Sequence, residues 1–340
     1  MVRSAGSAKN LPLLSHAAGR NAPTRPANRK PIASKRRNEP SKSKTFLAGI
    51  RNILVVGDLH VGSIYGMLPP DFVSSDGAEK PQNDGQKYLW DCWQDMKTKA
   101  ARFSIDSVVV NGDLIEGKQP KQKASELTLV APNDQESAAV FLMRDLRNWI
   151  EKNTGRQVPF FFIQGTEYHE GRGAEELESI AARVQGADID SNFSGRHCKE
   201  VLDLDMGGTV VNFAHHVGGG SGFARSGSLD AEALWCQITS SKGQAVAADL
   251  IVRSHLHFYM HVEHTNRHAF LCPCWQLQTR FARHRSAYKL IPDIGALIFH
   301  ISPDAKKGGT DPIAFTKLLY RLPAPRVNKF ERGKELGKAA

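Results

Sequence analysis

Ile53-Leu54-Val55-Val56-Gly57-Asp58-Leu59-His60 is the stretch that decides the fold. Four aliphatic residues in a row read as a buried-type strand, Gly57 interrupts it, and Asp58 and His60 follow at once. The same ending recurs four times. Asp113 follows Val108-Val109-Val110-Asn111-Gly112, and His169 lies just past Phe160-Phe161-Phe162-Ile163-Gln164-Gly165. His215 and His216 follow Val210-Val211-Asn212-Phe213-Ala214, and His255 and His257 follow Leu250-Ile251-Val252-Arg253-Ser254. A single Asp or His at a strand end is ordinarily a cap or a turn. Five in succession place metal-type ligands where open α/β sheets bind their ligands, in the crevice beyond the carboxyl ends of the strands. Such clusters mark metal or catalytic sites.

The rest of the chain fits an α/β body behind a basic tail. The 340 residues carry a formal charge of +10. Residues 1–44 hold eleven Lys or Arg and one acid, Glu39, so the whole excess sits there, and the remaining 34 basic and 34 acidic residues balance. Residues 1–45 lack apolar periodicity and are expected to be a disordered basic tail. Lys35-Arg36-Arg37 within it is a patch that could attract nucleic acid, act as an import signal or merely solvate a linker. A domain over 46–325 and a polar tail over 326–340 are expected to follow. No run of 18 apolar residues and no secretory signal core are present, so the expected location is the cytoplasm of a bacterial or phage-infected host cell. Five scattered Cys, with no C-x-x-C pair, read as reduced thiols.

Strand–helix alternation comes first. Helices are predicted over 86–103, from an Asn133 cap with Glu136 as its capping-box partner to about 151, over 173–185 and over 228–241. Trp90, Trp93, Trp149 and Trp235, with Leu229, Ala233, Leu234 and Ile238, read as core at helical spacing. The rear half then turns β-rich, which suggests two packed sheets with helices outside.

In order, the strand-end residues read D-x-H (Asp58, His60), G-D-x-x-E (Gly112, Asp113, Glu116), G-x-x-x-H-E (Gly165, His169, Glu170), H-H (His215, His216) and S-H-x-H (Ser254, His255, His257). The ordered set resembles the calcineurin-like metallophosphoesterase family, with its D-x-H, G-D-x-x-D/E, G-N-H-D/E, H and G-H-x-H blocks. The resemblance spans residues 58–257 and implies a four-layer α/β/β/α sandwich of two mixed sheets. It also implies two divalent ions, of Mn, Fe, Zn or Ni. Asp58, His60 and His257 would hold one ion, His215 (or its neighbour His216) and His255 the other, and Asp113 would be shared. His169 matches the family's catalytic His, and Glu116 and Glu170 match acids that orient ligands. Two features depart from the pattern. Ser254 replaces a Gly, and the family's Asn is missing, because Gly165 is followed by Thr166 and two extra residues precede His169. Thr166, Glu167, a backbone carbonyl or a water is left to complete the second ion's shell. Similar G-T-x-x-H forms among phage-encoded members make a phage origin an expectation.

Paired ions of this kind hydrolyse phosphoesters by neutralising the phosphoryl oxygens. The family's protein phosphatases carry Arg after the second block, whereas here Gly117 follows Glu116. Phosphodiesterase or nuclease activity is therefore favoured, with a phosphoester, nucleotide or nucleic acid as partner. The alternative is a catalytically weak or inactive binding module of the same fold, with a tail that attracts nucleic acid. Loops 61–85 and 117–133 are expected to rim the site, and Gly218-Gly219-Gly220 to let backbone pass close to it. His197, His261, His264, His268, His284 and His300 are given no role.

Overall fold

The strand read at 52–57 forms β1 (Arg51–Val56), near the middle of a six-stranded sheet. To one side it pairs in parallel with β4 (Ile105–Asn111), followed by β5 (Phe160–Ile163) and β6 (Cys198–Lys199). To the other it pairs antiparallel with β12 (Ile294–Ile301), which carries β13 (Ile313–Tyr320) on its outer edge. A small hairpin, β2 (Phe72–Val73) with β3 (Glu79–Lys80), lies in the loop after β1. The second sheet runs β10 (Met260–His264), β11 (Arg267–Leu271), β9 (Leu250–Arg253), β8 (Val210–Ala214), β7 (Val201–Asp205). Its three inner strands are parallel and its two edges antiparallel. The computed structural model describes residues 49–184, 195–218, 225–286 and 288–324. The expectations for residues 1–45, for 326–340 and for Gly219-Gly220 lie outside them.

Successive strand residues point to opposite faces, and this period of two builds the layers. Ile53, Val55, Val109, Phe161 and Phe299 meet Val211, Phe213, Val252 and Phe270 between the sheets. Their alternates Leu54, Val56, Val110, Phe160 and Phe162 turn outward to α1 (Asp84–Ala100), α2 (Pro132–Thr154) and α4 (Glu175–Arg183), where Trp93, Leu142 and Ile180 cover them. On the far side α5 (Gly227–Ser241) lays Leu229 and Ala233 on Ile251, Ala269 and Leu271. Each such side chain, fully buried, contributes about 1.5–3 kcal/mol. The result is the expected α/β/β/α sandwich. Three short helices, α3 (Glu167–Glu170), α6 (Arg280–Arg285) and α7 (Pro303–Lys307), complete it.

Three expectations need correcting. First, α2 begins at Pro132 with Ala131 as its cap residue and no side-chain cap. Proline suits the first helical position, since its φ is preset and its missing N–H is not needed there. Asn133 and Glu136 therefore fall inside the helix, and Glu136 accepts from Ser179 Oγ instead (2.6 Å). The capping box is at α1, where Asn83 Oδ1 accepts from Gln86 N and Gln86 Oε1 accepts from Asn83 N. Second, Trp93 is fully buried and Trp90 and Trp149 pack against the core, but Trp235 is 61% exposed and Leu234 58%. Each residue advances 100° around a helix, so when Ala233 faces the sheet its next neighbours turn away from it. Third, loop 61–85 does not rim the site: its first part, 61–70, is packed inward, and none of its residues lines the site's cavity. Met67 and Leu68 are fully buried, and Ile64 N and Thr128 N bond Glu126 O and Gly62 O across to the 117–133 loop.

All five thiols are free, and among the described residues no helix is long and apolar enough to cross a membrane.

Candidate metal centre

Parallel pairing brings the strand ends together. Val56 stands beside Val110, Asn111 beside Ile163, and Phe213 beside Val252. At the ends the backbone turns left-handed at five of the proposed ligands: φ is 51° at Asp58, 46° at His60, 48° at Asp113, 72° at His255 and 59° at His257. Such angles are uncommon for residues with a Cβ and cost of order 1–3 kcal/mol each, so surrounding bonds must hold them. Asp58 N donates to Gly112 O, His60 N to Asp113 O, Trp275 N to Asp58 O and Asp293 N to His257 O. Asn111 ties the two sheets, its amide reaching Ser254 Oγ at 2.7 Å and Ala214 O at 3.3 Å.

Two triads result. In one, donor atoms of Asp58, His60 and His257 lie within 4.8 Å of one another, and in the other those of Asp113, His215 and His255 do so. His60 Nε2 is 3.2 Å from His257 Nε2, which is 3.3 Å from Asp58 Oδ1. His215 Nε2 is 3.2 Å from Asp113 Oδ2 and 3.9 Å from Asp58 Oδ1, so the triads adjoin. All six metal ligands proposed from sequence are brought together. The choice between adjacent histidines is also made: His215 is buried and in the triad, whereas His216 is exposed and meets it through ring contacts, 4.8 Å from His255 and 5.3 Å from His215.

Burial opposes ionisation of Asp58 and Asp113, but His257 beside the first and His215 beside the second hold both carboxyls below the usual range. Burial likewise opposes a charge on His215, yet Asp113 and Asp58 push it up to about 10. The chemistry of the donor set fits cations. His215 Nδ1 donates to Asn111 O (2.8 Å), which turns its other nitrogen, with a lone pair, toward Asp113. Two lone-pair atoms facing each other in a buried site need a proton or a metal between them. Asp58 Oδ1 and His215 Nε2 are both buried without a well-aligned hydrogen bond.

Surrounding groups orient the ligands. Glu116 Oε2 lies 2.9 Å from His60 Nδ1, and Gln119 and Gln276 donate to the two Glu116 oxygens. Buried Glu170 accepts from Leu114 N (2.8 Å) and Gly165 N (2.6 Å), clamping the ends of β4 and β5 on either side of Asp113. Its burial and the Asp113 charge push its carboxyl up to about 8. His169 Nδ1 donates to Glu116 O at 2.7 Å, leaving Nε2 for the cavity, and its ring meets His60 edge-on at 4.5 Å. Thr166 donates to Asp113 Oδ1 through both its N–H (2.6 Å) and its hydroxyl (3.0 Å). Glu167 is exposed and does not line the cavity.

The centre floors a cavity of about 580 Å³. Lys121, Gln122 and Glu126 of loop 117–133 rim it as expected, and so does an unforeseen segment from Gln276 to Pro292. That segment carries α6, Arg280-Phe281-Ala282-Arg283-His284-Arg285, whose Phe281 is 60% exposed at the mouth. Asn111, Gln119, Gln276 and α6 escaped sequence reading. Only the cluster of bases in α6 left a local signal.

No family model and no curated protein matches this chain. Among solved structures, Vps29 from Chaetomium thermophilum is similar at 10% identity and TM-score 0.35, over 80% of this chain and 100% of that one. An archaeal phosphodiesterase is similar at 8% and 0.35, over 79% and 99%. Entamoeba histolytica Vps29 complexed with zinc is similar at 11% and 0.31, over 78% and 99%.

Proposed function

We propose that this chain is a dinuclear metal-dependent phosphoester hydrolase that prefers diesters. The observation that carries the reading is the pair of adjoining triads, held in left-handed backbone at the floor of a ligand-sized cavity. Asp58, His60 and His257 would hold one Mn, Fe, Zn or Ni ion and His215 and His255 the other, with Asp113 between them. Divalent ions bound there supply charge neutralisation at the phosphoryl oxygens and acidify water.

The chain's own groups do the rest. Glu116 fixes the His60 ring. His169, with Nδ1 tied to Glu116 O, presents Nε2 to the leaving oxygen. Burial and neighbouring His60 lower the pKa of His169, which favours the neutral ring, so its action as a proton donor should fade as pH rises. A polyanionic substrate suits the rim: Lys121 lines it, Tyr168 and Phe281 offer ring faces for a base, and α6, which carries Phe281, also bears the exposed Arg280, Arg283 and Arg285. This local cluster of positive charge belongs to a body whose charges, these arginines included, balance.

One observation favours a second reading, a weakly active or inactive binding module. Thr166 adds no carbonyl or carboxylate to the second triad, and its donors take up lone pairs of Asp113.

One assay separates the readings. The full chain is stripped with chelator, reloaded with Mn²⁺ or Zn²⁺, and given bis-p-nitrophenyl phosphate and p-nitrophenyl phosphate. Metal-restored turnover that is faster on the diester is expected. Metal uptake without turnover on either ester would favour the binding module, and no metal uptake would remove the hydrolase.

A further inference from the structure

Away from the centre, the edge hairpin β10–β11 carries a second cluster of donors. The antiparallel register sets Glu263 opposite His268 and His261 opposite Phe270. Opposed residues share a face, and so do residues two apart, so His261, Glu263, His268 and Phe270 all lie on one side of the sheet. Donor atoms of His261, Glu263 and His268 lie within 4.8 Å of one another. None of the three lines the cavity of the candidate centre.

The rings are set by packing. His261 stacks on Phe270 with centroids 4.1 Å apart and planes 9° from parallel, and Phe315 closes on it edge-on at 4.9 Å. His268 is buried, and its Nε2 lies 2.9 Å from Asp311 Oδ2. A carboxylate on one imidazole nitrogen keeps the proton there, so Nδ1 of His268 presents a lone pair. This is the arrangement that commonly backs a metal-bound histidine. That lone pair is 3.0 Å from His261 Nε2. Two imidazole nitrogens on one tetrahedral zinc, each at about 2.0–2.1 Å, stand about 3.3–3.4 Å apart. A shift of a few tenths of an ångström would therefore admit an ion, and Glu263 on the exposed side offers the third donor.

We infer that His261, Glu263 and His268 form a separate site for one zinc-type divalent ion, backed by Asp311. Two imidazoles with one carboxylate suit zinc, nickel, copper or cobalt better than magnesium or calcium. Asp311 lies just before β13 of the first sheet, so the ion would pin the free edge of the second sheet to the first. The role is structural and leaves the hydrolytic centre alone.

The test uses the full chain, freed of metal by chelation and titrated with Zn²⁺ and with Co²⁺. Wild type should take up one equivalent more than His261→Asn, and the cobalt-loaded wild type should show visible d–d absorption in excess of that from the dinuclear centre, an excess that the variant lacks. Hydrolysis restored by Mn²⁺ should be the same in both. Equal stoichiometry and equal cobalt spectra would overturn the site and leave a His261–His268–Asp311 hydrogen-bond chain. Glu263→Gln, at an exposed position, guards against a folding defect. It should weaken the extra zinc equivalent at least tenfold, and an unchanged affinity would equally overturn the site.

Discussion

Glu116 Oε2 lies 2.9 Å from His60 Nδ1, both side chains are buried, and two glutamine amides, of Gln119 and Gln276, hold the carboxylate in place. Glu116 thus decides which nitrogen of His60 faces the centre. Replacing the carboxylate keeps the shape but not the charge that raises the ligand's basicity. Glu116→Gln is expected to lower metal affinity by about 10–100-fold while the fold persists. Competition against a fluorescent chelator measures this, and an affinity equal to wild type would show that Glu116 does not orient His60.

Asp113 touches His215, accepts twice from Thr166 and belongs to the second triad. Asp113→Asn removes the charge opposite His215 and should cost both bound metal and several orders of magnitude in diester turnover. Elemental analysis with steady-state kinetics tests it. Full metal content together with full activity would contradict a shared ligand.

His169→Asn should retain metal and slow turnover by about 10²–10⁴-fold. The loss should shrink on esters with acidic leaving groups, which need little protonation. A leaving-group series decides the matter. Equal losses across it argue against a proton donor, and loss of metal would make His169 a ligand.

Gly112 has φ 83°, and a Cβ there would fall on His215 Nδ1 and close on Gly165 Cα. Gly112→Ala therefore meets strain and a clash against a ligand. A loss of about 1–3 kcal/mol in urea unfolding is expected, with weaker metal uptake. Unchanged stability would mean that the β4–β5 ends open easily.

Away from the centre, Glu178 on α4 fastens β6. Partial burial opposes its charge, but donation from Cys198 Sγ and from His197 N and Nδ1 brings its pKa down to about 2. A depressed carboxyl pKa stabilises the fold above the unfolded value, near 4.3, and that contribution fades as pH falls toward the folded value. Glu178→Gln should cost about 1–3 kcal/mol at pH 7. The gap to wild type should be flat above pH 5 and narrow steadily below it, as denaturant midpoints across pH 3–7 can show. A gap that widens in acid would refute the assignment.

The sequence alone determined the main strands, the order of the layers and five of the candidate metal ligands, leaving the sixth between His215 and His216. Each depends on short-range pattern: an aliphatic run sets a buried strand, and the residues just past it must emerge at the edge. Tertiary structure decided the rest. His215 was chosen over His216 because Asn111 O, on a different sheet, receives its ring. Glu116 acquired its part only when β1 and β4 paired and placed the two loops side by side. The rim passed from loop 61–85 to Gln276–Pro292 because Met67 and Leu68 are drawn into the core. Trp235, apolar and at helical spacing, ended exposed because α5 spans a sheet that accepts only the Leu229–Ala233 stripe. Local pattern fixes what a segment is and which residues it can offer. Which of them meet depends on pairing between segments far apart in the chain, and no local periodicity encodes that.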